Sequence, residues 1–387
     1  MNALKVQIIT TYSLEKTPPV KNRIIPIIKS YHDLGCEVEL ISGDLSSLSN
    51  KYKEAWMNKR FKHKTVKPIG ASKKNFLFRA IEELYLSFRI FLSSTYSNTD
   101  IKVITIPSMF LTVPLIFFTK ESKIVIDIRD LTWEYLKEDS ILRRMSKKIL
   151  RWLISKGLKH ADIYTVTNKK ELRYIEKLSP KSKCFLLFNG ISHSRFKDLV
   201  HSETNAISQK IKVGYVGTVG IAQNLITLVK AAKENPHIEF KIVGEGADMK
   251  SLINFSEKNN LSNIAFLGSL SWKEISKFYD EIDVLYANIS SNYATAVPSK
   301  IFEYIAVGKP IIFGSIGESR EILKDFRGVM LIQPDDLDQL LIALDSCCKT
   351  IDQTDVEYNR LVLRENYLRE NTCKLVASKV VKHFKLN

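Results

Sequence analysis

Residues 296–310 read AVPSKIFEYIAVGKP, a short apolar segment that predicts a helix between a loop and a strand. Pro298 suits the first helical position, and Gly308 suits the residue just past the end. The apolar residues between them recur at helical spacing. Glu303 follows Ser299 by four positions, so the two share a separate face. Taken alone, the pattern is that of a capped core helix with one solvated acid.

Short apolar strands alternate with helical patterns on both sides of this segment, and the first half of the chain begins in the same way. This alternation is typical of βαβ units and a mostly parallel sheet, so the predicted fold class is α/β, with two Rossmann-like halves. In the second half we expect strands at 212–217, 239–244, 263–267, 283–288, 310–313 and 329–332. In the first half we expect them at 5–10, 37–42, 103–106, 124–128, 163–167 and 184–188.

Length and composition exclude several classes of protein. A chain of 387 residues with 45% hydrophobic residues fits two domains with sizeable cores. The longest apolar stretch, 103–118, is interrupted by polar residues and prolines and is too short to span a bilayer. No secretory leader is expected, because residues 4–9 have the pattern of a strand. The five cysteines lack the spacing of a zinc site or a disulfide framework, so we expect reduced packing residues.

The positive charge is confined to the first half of the chain. Residues 1–200 carry a net charge of +17 and residues 201–387 a net charge of −1. Such an asymmetry favours an anionic partner for the first half, whether nucleic acid, a phosphorylated substrate or an acidic membrane. No nucleic-acid-binding module is recognised, so a nucleic-acid-binding protein is the less favoured interpretation.

Ligands of open α/β sheets bind outside the carboxyl ends of the strands, which places the start of the 296–310 helix at the binding edge. Its N-terminal N–H groups and the Lys300 ammonium suit a phosphate. Glu303, one turn further, suits the two hydroxyls of a ribose. The segment therefore predicts a nucleotide site. The loops expected around the same cleft are 10–21, 127–134, 217–224, 244–248, 267–270, 288–300 and 314–319.

Several motifs, in order, resemble the donor half of family 4 retaining glycosyltransferases, closest to the bacterial branch that builds surface polysaccharides. They are GYVGTVG at 214–220 with QNL at 223–225, IVGEG at 242–246, and PSKIFEYIAVGKP at 298–310. LFNGI at 187–191 with Arg195 and Phe196 resembles the family's interdomain motif, and DIRDL at 127–131 resembles its acceptor-side motif.

The resemblance implies a GT-B fold, in which two Rossmann-like domains face a central cleft. The expected domains are an acceptor-binding domain at 1–195, a nucleotide-sugar-binding domain at 210–354, and helices at 355–387 that pack back on the first domain. The implied function is retaining transfer of a sugar, hexosyl or N-acetylhexosaminyl, from a nucleoside diphosphate sugar, which we expect to be UDP-linked. The implied acceptor is a lipid-diphosphate-linked or polysaccharide molecule in bacterial surface glycan synthesis. A nucleotide-sugar epimerase of the same fold is the alternative; it would convert donor without an acceptor.

The resemblance also implies roles for individual residues. It implies that the reaction needs neither a cofactor nor a metal. Catalytic roles fall on Asp130, Arg129 and Lys300, and acceptor-side contacts on Asp127, Lys16 and Arg23. Donor contacts fall on Gly217, Val219, Gly220, Gln223, Gly244, Gly246, Leu270, Thr295, Ala296, Val297, Pro298, Ser299 and Glu303.

Departures from the family pattern qualify these roles. Thr295 stands where the family usually has a glutamate, and residues 10–21 lack its usual glycine pair. No basic residue occurs between Lys212 and Lys230, so the charge on the pyrophosphate is left to Lys300, with Arg320 as the reserve. The alternative for Asp127, Arg129 and Asp130 is an intradomain ion-pair cluster. The pair Asp336 and Asp338 is interpreted as helix capping rather than a metal site.

Two basic, aromatic stretches predict peripheral binding to an anionic membrane, at the cytoplasmic face of the cell membrane. One combines nine Lys and Arg residues in 51–74 with a helical pattern at 76–96, and the other is 141–159. The alternative is that both are ordinary Rossmann helices with solvated lysines.

Overall fold

The computed structural model describes residues 3–14, 18–44, 57, 60–68, 76–95, 98–106, 108–117, 122–136, 138–200, 210–294, 296–346 and 352–385. Packing divides the chain into two units. Unit 1 comprises Met1–Phe188 and Arg369–Asn387, and unit 2 comprises Asn189–Leu368.

Unit 1 is built on a parallel sheet. Its described strands are β1 (Lys5–Ile9), β2 (Glu37–Ser42), β3 (Phe61–Thr65), β4 (Ile101–Ile106), β5 (Lys123–Ile128), β6 (Ile163–Val166) and β7 (Lys183–Leu186). They lie side by side in the order β3-β2-β1-β4-β5-β6-β7. Every residue of β1 after Lys5 is buried, because helices cover both faces of a sheet of this kind.

Unit 2 is built on a second parallel sheet. Its described strands are β8 (Lys212–Val216), β9 (Glu239–Val243), β10 (Ile264–Gly268), β11 (Val284–Asn288), β12 (Ile311–Gly314) and β13 (Val329–Ile332). Their order is β10-β9-β8-β11-β12-β13. The order reverses beside β8, and ligands of such sheets bind at the carboxyl ends of the strands around that point.

Helices connect the strands in both units. The helices are α1 (Pro18–Asp33), α2 (Phe76–Thr95), α3 (Ile141–Leu158), α4 (Lys169–Leu178), α5 (His193–Val200), α6 (Ile226–Glu234), α7 (Met249–Lys258), α8 (Trp272–Glu281), α9 (Lys300–Val307), α10 (Glu318–Leu323), α11 (Leu337–Ser346), α12 (Gln353–Val362) and α13 (Arg369–Lys385). The carboxyl oxygen of Asp336 accepts a bond from the Gln339 N–H at 2.9 Å, which is the capping role predicted for it. In the described part of the chain, no helix is long and apolar enough to cross a membrane.

The helical end of the chain is shared between the units rather than belonging as a whole to unit 1. Helix α13 packs on α1, and its Val376 and Val380 join the core around Ile8 of β1. Helix α12 instead packs on α9 within unit 2. A π-helical turn at Leu363–Tyr367 ends α12, and the extended Leu368 separates it from α13. The segment predicted as one packing element, 355–387, is therefore divided at 368/369.

Two predicted elements differ from the structure. Helix α9 begins at Lys300, two residues later than predicted, because the N–H groups of Ile301 and Phe302 bond back by three residues to Pro298 and Ser299. Gly308 ends the helix in the left-handed conformation (φ +81°), as expected. Part of the predicted basic stretch 51–74 is the edge strand β3, whose lysines point away from the core. Charged residues on an edge strand discourage pairing with other chains.

A buried ion pair links helix α1 to the sheet of unit 1. The Arg23 guanidinium of α1 donates to both oxygens of Asp127 in β5, at 3.2 and 2.7 Å, and to the carbonyls of Leu187 and Phe188 after β7. Both side chains are at most 2% exposed. Thr165 of β6 donates to the same carboxylate at 2.6 Å.

We predict that Asp127→Asn will destabilise the protein by about 3–5 kcal/mol, because it leaves the buried Arg23 cation without its counter-charge. Urea denaturation measures the effect. Asp139→Asn, which breaks the exposed pair with Arg143, is the matched control, and it should cost less than about 1 kcal/mol. Equal losses in the two variants would contradict the prediction.

Candidate donor site at the carboxyl edge of unit 2

Three loops meet at the carboxyl ends of β8, β9 and β10. The Gly217 N–H donates to the Val243 carbonyl at 2.9 Å, and the Gly244 N–H donates to the Gly268 carbonyl at 2.7 Å. Gly217 (φ +143°) and Gly244 (φ +135°) have backbone conformations that side chains rarely allow. A Cβ atom on Gly244 would lie 1.7 Å from the Gly217 carbonyl oxygen. Glycine is therefore required for the loops to approach this closely.

A cavity of about 260 Å³ opens between these loops. It brings together three of the predicted donor residues, Gly217, Gly244 and Leu270. Ser269 and Ile275, which were not predicted, complete the wall on the β10 side. The cavity lining is Val216, Gly217, Thr218, Val243, Gly244, Glu245, Ser269, Leu270 and Ile275.

Other predicted donor residues belong to the same loops without lining the cavity. The Val219 side chain is completely buried in the core, so only its backbone faces the loop, where its N–H donates to the Glu245 carbonyl at 2.9 Å. Gly246 lies directly against the Val219 backbone. Gln223 closes a turn, its N–H donating to the Gly220 carbonyl at 2.9 Å.

The approach to α9 contains the remaining predicted donor residues. Val297 is buried, whereas Ser299 is exposed at the start of the helix and Pro298 is half-buried. The Ala296 carbonyl accepts a bond from the Ser319 hydroxyl at 2.5 Å, which ties this loop to α10. Thr295 lies outside the described residues.

Lys300 folds back beneath the glycine loop. Its Nζ donates to the Tyr215 hydroxyl at 2.5 Å and lies 3.9 Å from the centre of that ring, and the hydroxyl donates to the Thr218 carbonyl at 2.5 Å. A Cβ atom on Gly217 would lie 2.5 Å from Nζ. Burial lowers the pKa of Lys300 to about 7, although Glu303 acts in the opposite direction. The amine is therefore a cation poised to change its charge near neutral pH.

Glu303 is not the solvated acid of the simple helix pattern, because only 8% of the residue is exposed. Its Oε1 pairs with Arg195 of α5, and its Oε2 accepts a bond from the buried Tyr279 hydroxyl of α8 at 3.4 Å. Neither partner was predicted. Arg195 belongs to the predicted interdomain motif, but no sequence pattern indicates that it pairs with Glu303.

Two other cations of unit 2 are held by backbone carbonyls. Arg320, the reserve candidate for the phosphate, donates to the carbonyls of Ser315 and Ile332 at 3.2 Å. Lys309 donates to the carbonyls of Tyr279 and Asp280 at the end of α8, at 2.6 and 2.8 Å. These contacts favour structural roles for both.

In unit 1, the acceptor-side residues fall into two groups. Asp127 and Arg23 satisfy each other in the interior, which favours the ion-pair alternative over contact with an acceptor. Arg129 and Asp130, by contrast, are only partly buried, in the loop after β5. Burial lowers the pKa of Arg129 to about 10, and the nearby Arg23 acts in the same direction. Lys16 lies outside the described residues.

Glu171 of α4 was missed by the sequence reasoning. It is 1% exposed and accepts bonds from the N–H and hydroxyl of Thr167 at 2.8 and 2.9 Å. Burial raises its pKa to about 7, and the nearby Asp130 acts in the same direction. The only sequence signal is the helix-capping pattern NKKE at 168–171, which indicates a cap rather than a titrating group.

Metal ligands form no cluster in the part of the chain that the structure describes: no group of three or more His, Cys, Asp or Glu is placed to hold an ion. The expectation that the reaction needs no metal stays a prediction.

Comparison with known proteins finds a family model that matches the part of the chain containing the loop cavity and α9. Residues 196–350 match the family described as "Glycosyl transferases group 1". TuaH of Bacillus subtilis, named for a glycosyltransferase role in teichuronic acid biosynthesis, is 23% identical over 194 residues, which are 48% of this chain and 49% of TuaH. The chain spans about half the length of the curated relatives it matches.

Solved structures resemble this chain over nearly its full length. Sucrose-phosphate synthase from Thermosynechococcus elongatus has a TM-score of 0.77 and 14% identity, with 99% of this chain and 100% of that chain covered. HepE of Anabaena, solved in complex with UDP, has a TM-score of 0.71 and 12% identity, with 98% and 100% covered. The predicted α/β fold of two Rossmann-like halves, shared with GT-B glycosyltransferases, is confirmed.

We predict that nucleoside diphosphate binding weakens as the pH rises above about 7. Below that pH the Lys300 amine is already charged, whereas above it binding must first return a proton to it, so the Kd should rise by about tenfold per pH unit. Calorimetry of UDP binding between about pH 6 and about pH 9 measures the change. Lys300→Arg is the control, since a guanidinium stays charged throughout. A wild-type profile as flat as that of Lys300→Arg would contradict the prediction.

Proposed function

We propose that the protein is a retaining glycosyltransferase that moves a sugar from a UDP-linked donor to a lipid-diphosphate-linked or polysaccharide acceptor in bacterial surface glycan synthesis. The observation that carries the proposal is the meeting, at one edge of unit 2, of the loop cavity, the poised Lys300 and the buried Glu303. The resemblance of the donor motifs to family 4, and the names of TuaH and of HepE with UDP, support the finer assignments.

The cavity is suited to one part of a nucleotide. At about 260 Å³ it is smaller than the 300–1,000 Å³ or so of pockets that enclose a whole drug-sized ligand. We assign it to the base, with the backbone around Leu270 supplying polar contacts. Glu303 would then accept bonds from the ribose hydroxyls, and the diphosphate would lie toward the start of α9.

Lys300 is the cation best placed to stabilise the departing diphosphate. Its present partner is the neutral Tyr215 hydroxyl, so it can exchange that contact for a phosphate without breaking an ion pair with a direct partner. Negative charge grows on the leaving group during transfer, and a preorganised cation stabilises that charge more than it stabilises the ground state.

Retention follows if attack and departure occur on the same face of the sugar. The bond from the anomeric carbon to the phosphate oxygen breaks, a bond to the acceptor oxygen forms, and the acceptor proton passes to the departing phosphate. In unit 1, Arg129 and Asp130 are the candidates for acceptor contacts. Arg129 remains a cation at neutral pH, since its pKa of about 10 is well above 7, and it suits an acceptor that carries phosphate.

We predict that Lys300→Met lowers transfer efficiency by about ten- to a hundred-fold, because one charge-assisted hydrogen bond contributes about 1.5–3 kcal/mol. The turnover number should fall along with donor affinity. The assay follows product formation from a panel of nucleotide sugars with excess chelator present. Lys300→Arg should recover part of the loss, and the exposed Lys230→Met serves as the matched control.

The outcomes separate the candidate functions. Conversion of the donor sugar without any acceptor would favour the epimerase alternative. Activity that is lost in chelator and restored by manganese would contradict the metal-independent mechanism. If Lys300→Met turned over substrate at the wild-type rate, Lys300 would have no role in stabilising the phosphates.

We also propose that unit 1 binds an anionic membrane surface through α3. Its exposed apolar residues Ile141, Met145, Ile149 and Trp152 recur every three or four positions and form one stripe. Arg144 and Lys148 are also exposed on this helix. Lys147 is excluded from such a surface, because it is buried against the Glu134 and Leu136 carbonyls. A basic helix with an exposed apolar stripe is suited to the membrane interface.

We predict that the double variant Ile149→Asp, Trp152→Asp reduces co-sedimentation with phosphatidylglycerol vesicles by at least about tenfold, because each buried apolar side chain contributes about 1.5–3 kcal/mol. Ile342→Asp, an equally exposed apolar position on α11 of unit 2, is the matched control. Equal sedimentation of the double variant and wild type would contradict the role of α3.

A further inference from the structure

Arg195 pairs directly with Glu303, the carboxylate that the proposed function assigns to the ribose hydroxyls. Its Nη1 pairs with Glu303 Oε1; the Glu303 side chain is 10% exposed and the Arg195 side chain 39%. Tyr279 bonds the other oxygen. Each carboxylate oxygen can accept two hydrogen bonds, so each retains capacity for one more. Two neighbouring ribose hydroxyls need that arrangement, because each then donates to a different carboxylate oxygen.

Arg195 is itself held in place by a chain of contacts. Its guanidinium lies 4.4 Å from the centre of the Trp272 ring at the start of α8. The Trp272 indole N–H donates to Asp198 of α5 at 2.8 Å, and the Arg195 backbone N–H donates to the Ser192 hydroxyl at 3.3 Å. The guanidinium therefore lies against Trp272 of α8 and pairs with Glu303 of α9 before any ligand binds. A group held in this way loses little conformational freedom when a ligand binds.

We propose that Arg195 is a positioning residue for ribose recognition: it fixes the Glu303 carboxylate so that both oxygens face the two hydroxyls of the nucleotide sugar. The inference rests on the proposed nucleotide site. It assigns to Arg195 a specific effect, discrimination of ribose from 2′-deoxyribose, which a merely structural ion pair would not have. A carboxylate that is free to rotate would bond one hydroxyl at a time and would discriminate less.

The test compares Kd values for UDP and 2′-deoxy-UDP, measured by calorimetry on the full chain. Wild type should prefer UDP, and Glu303→Gln should reduce the preference. Arg195→Met, which keeps the stem over Trp272, should weaken UDP by about tenfold while changing 2′-deoxy-UDP by less than about threefold. Arg195→Lys should recover part of the preference, and the double variant with Glu303→Gln should lose no more than Glu303→Gln alone.

Arg327→Met is the matched control, since it breaks an ion pair with Asp355 elsewhere in unit 2 and should leave both affinities unchanged. Equal weakening of UDP and 2′-deoxy-UDP by Arg195→Met would overturn the positioning role and assign the arginine to the phosphates or to stability. Wild type that binds UDP without preferring it to 2′-deoxy-UDP would also overturn the inference, but leave the donor site standing. Wild type that binds none of UDP, GDP and ADP would overturn the proposed nucleotide site itself, and the inference with it.

Discussion

The candidate donor site depends on one steric constraint, the contact between the backbones of the loops after β8 and β9. The Gly217 carbonyl occupies the space where a side chain at position 244 would begin, so only glycine permits the contact. Gly217 is crowded in the same way, because the Lys300 ammonium lies where a side chain at position 217 would begin. The glycine loop, the cavity wall and the Lys300 ammonium are therefore packed as a single unit. A bulky residue at 217 would displace all three at once.

The cations of unit 2 differ in what they bind, and this difference separates structural from functional candidates. Lys309 and Arg320 donate to backbone carbonyls, which are fixed by the fold and are costly to leave unsatisfied. Lys300 donates to a hydroxyl that also serves the Thr218 carbonyl, and Arg195 pairs with a carboxylate at the edge of the site. Of these four cations, only Lys300 and Arg195 can exchange or share their partners with a ligand. These two are therefore the functional candidates.

The sequence predicted the strands of both units within one or two residues, because parallel strands are continuous apolar runs bounded by glycines and polar loops. It missed β3, since the segment Phe61–Thr65 is polar and half-exposed, as edge strands are. It identified the glycine loops and the helix that carries Lys300 and Glu303. It could not identify Tyr215 as the partner of Lys300 or Arg195 as the partner of Glu303. Nor could it identify Glu171 as a titrating group. Those contacts join residues far apart in the chain, or depend on burial, and neither leaves a local pattern.

Arg195, Glu303 and Lys300 form a short series of alternating charges, and the middle member couples the outer two. Glu303 raises the pKa of Lys300 against the effect of burial, while its own charge is shared with Arg195. If Arg195 were absent, the full carboxylate charge would act on Lys300, one helical turn away, and would favour its protonated form. The arginine would thus tune the proton affinity of the lysine without touching it. Its removal should therefore move the onset of the pH dependence of diphosphate binding upward.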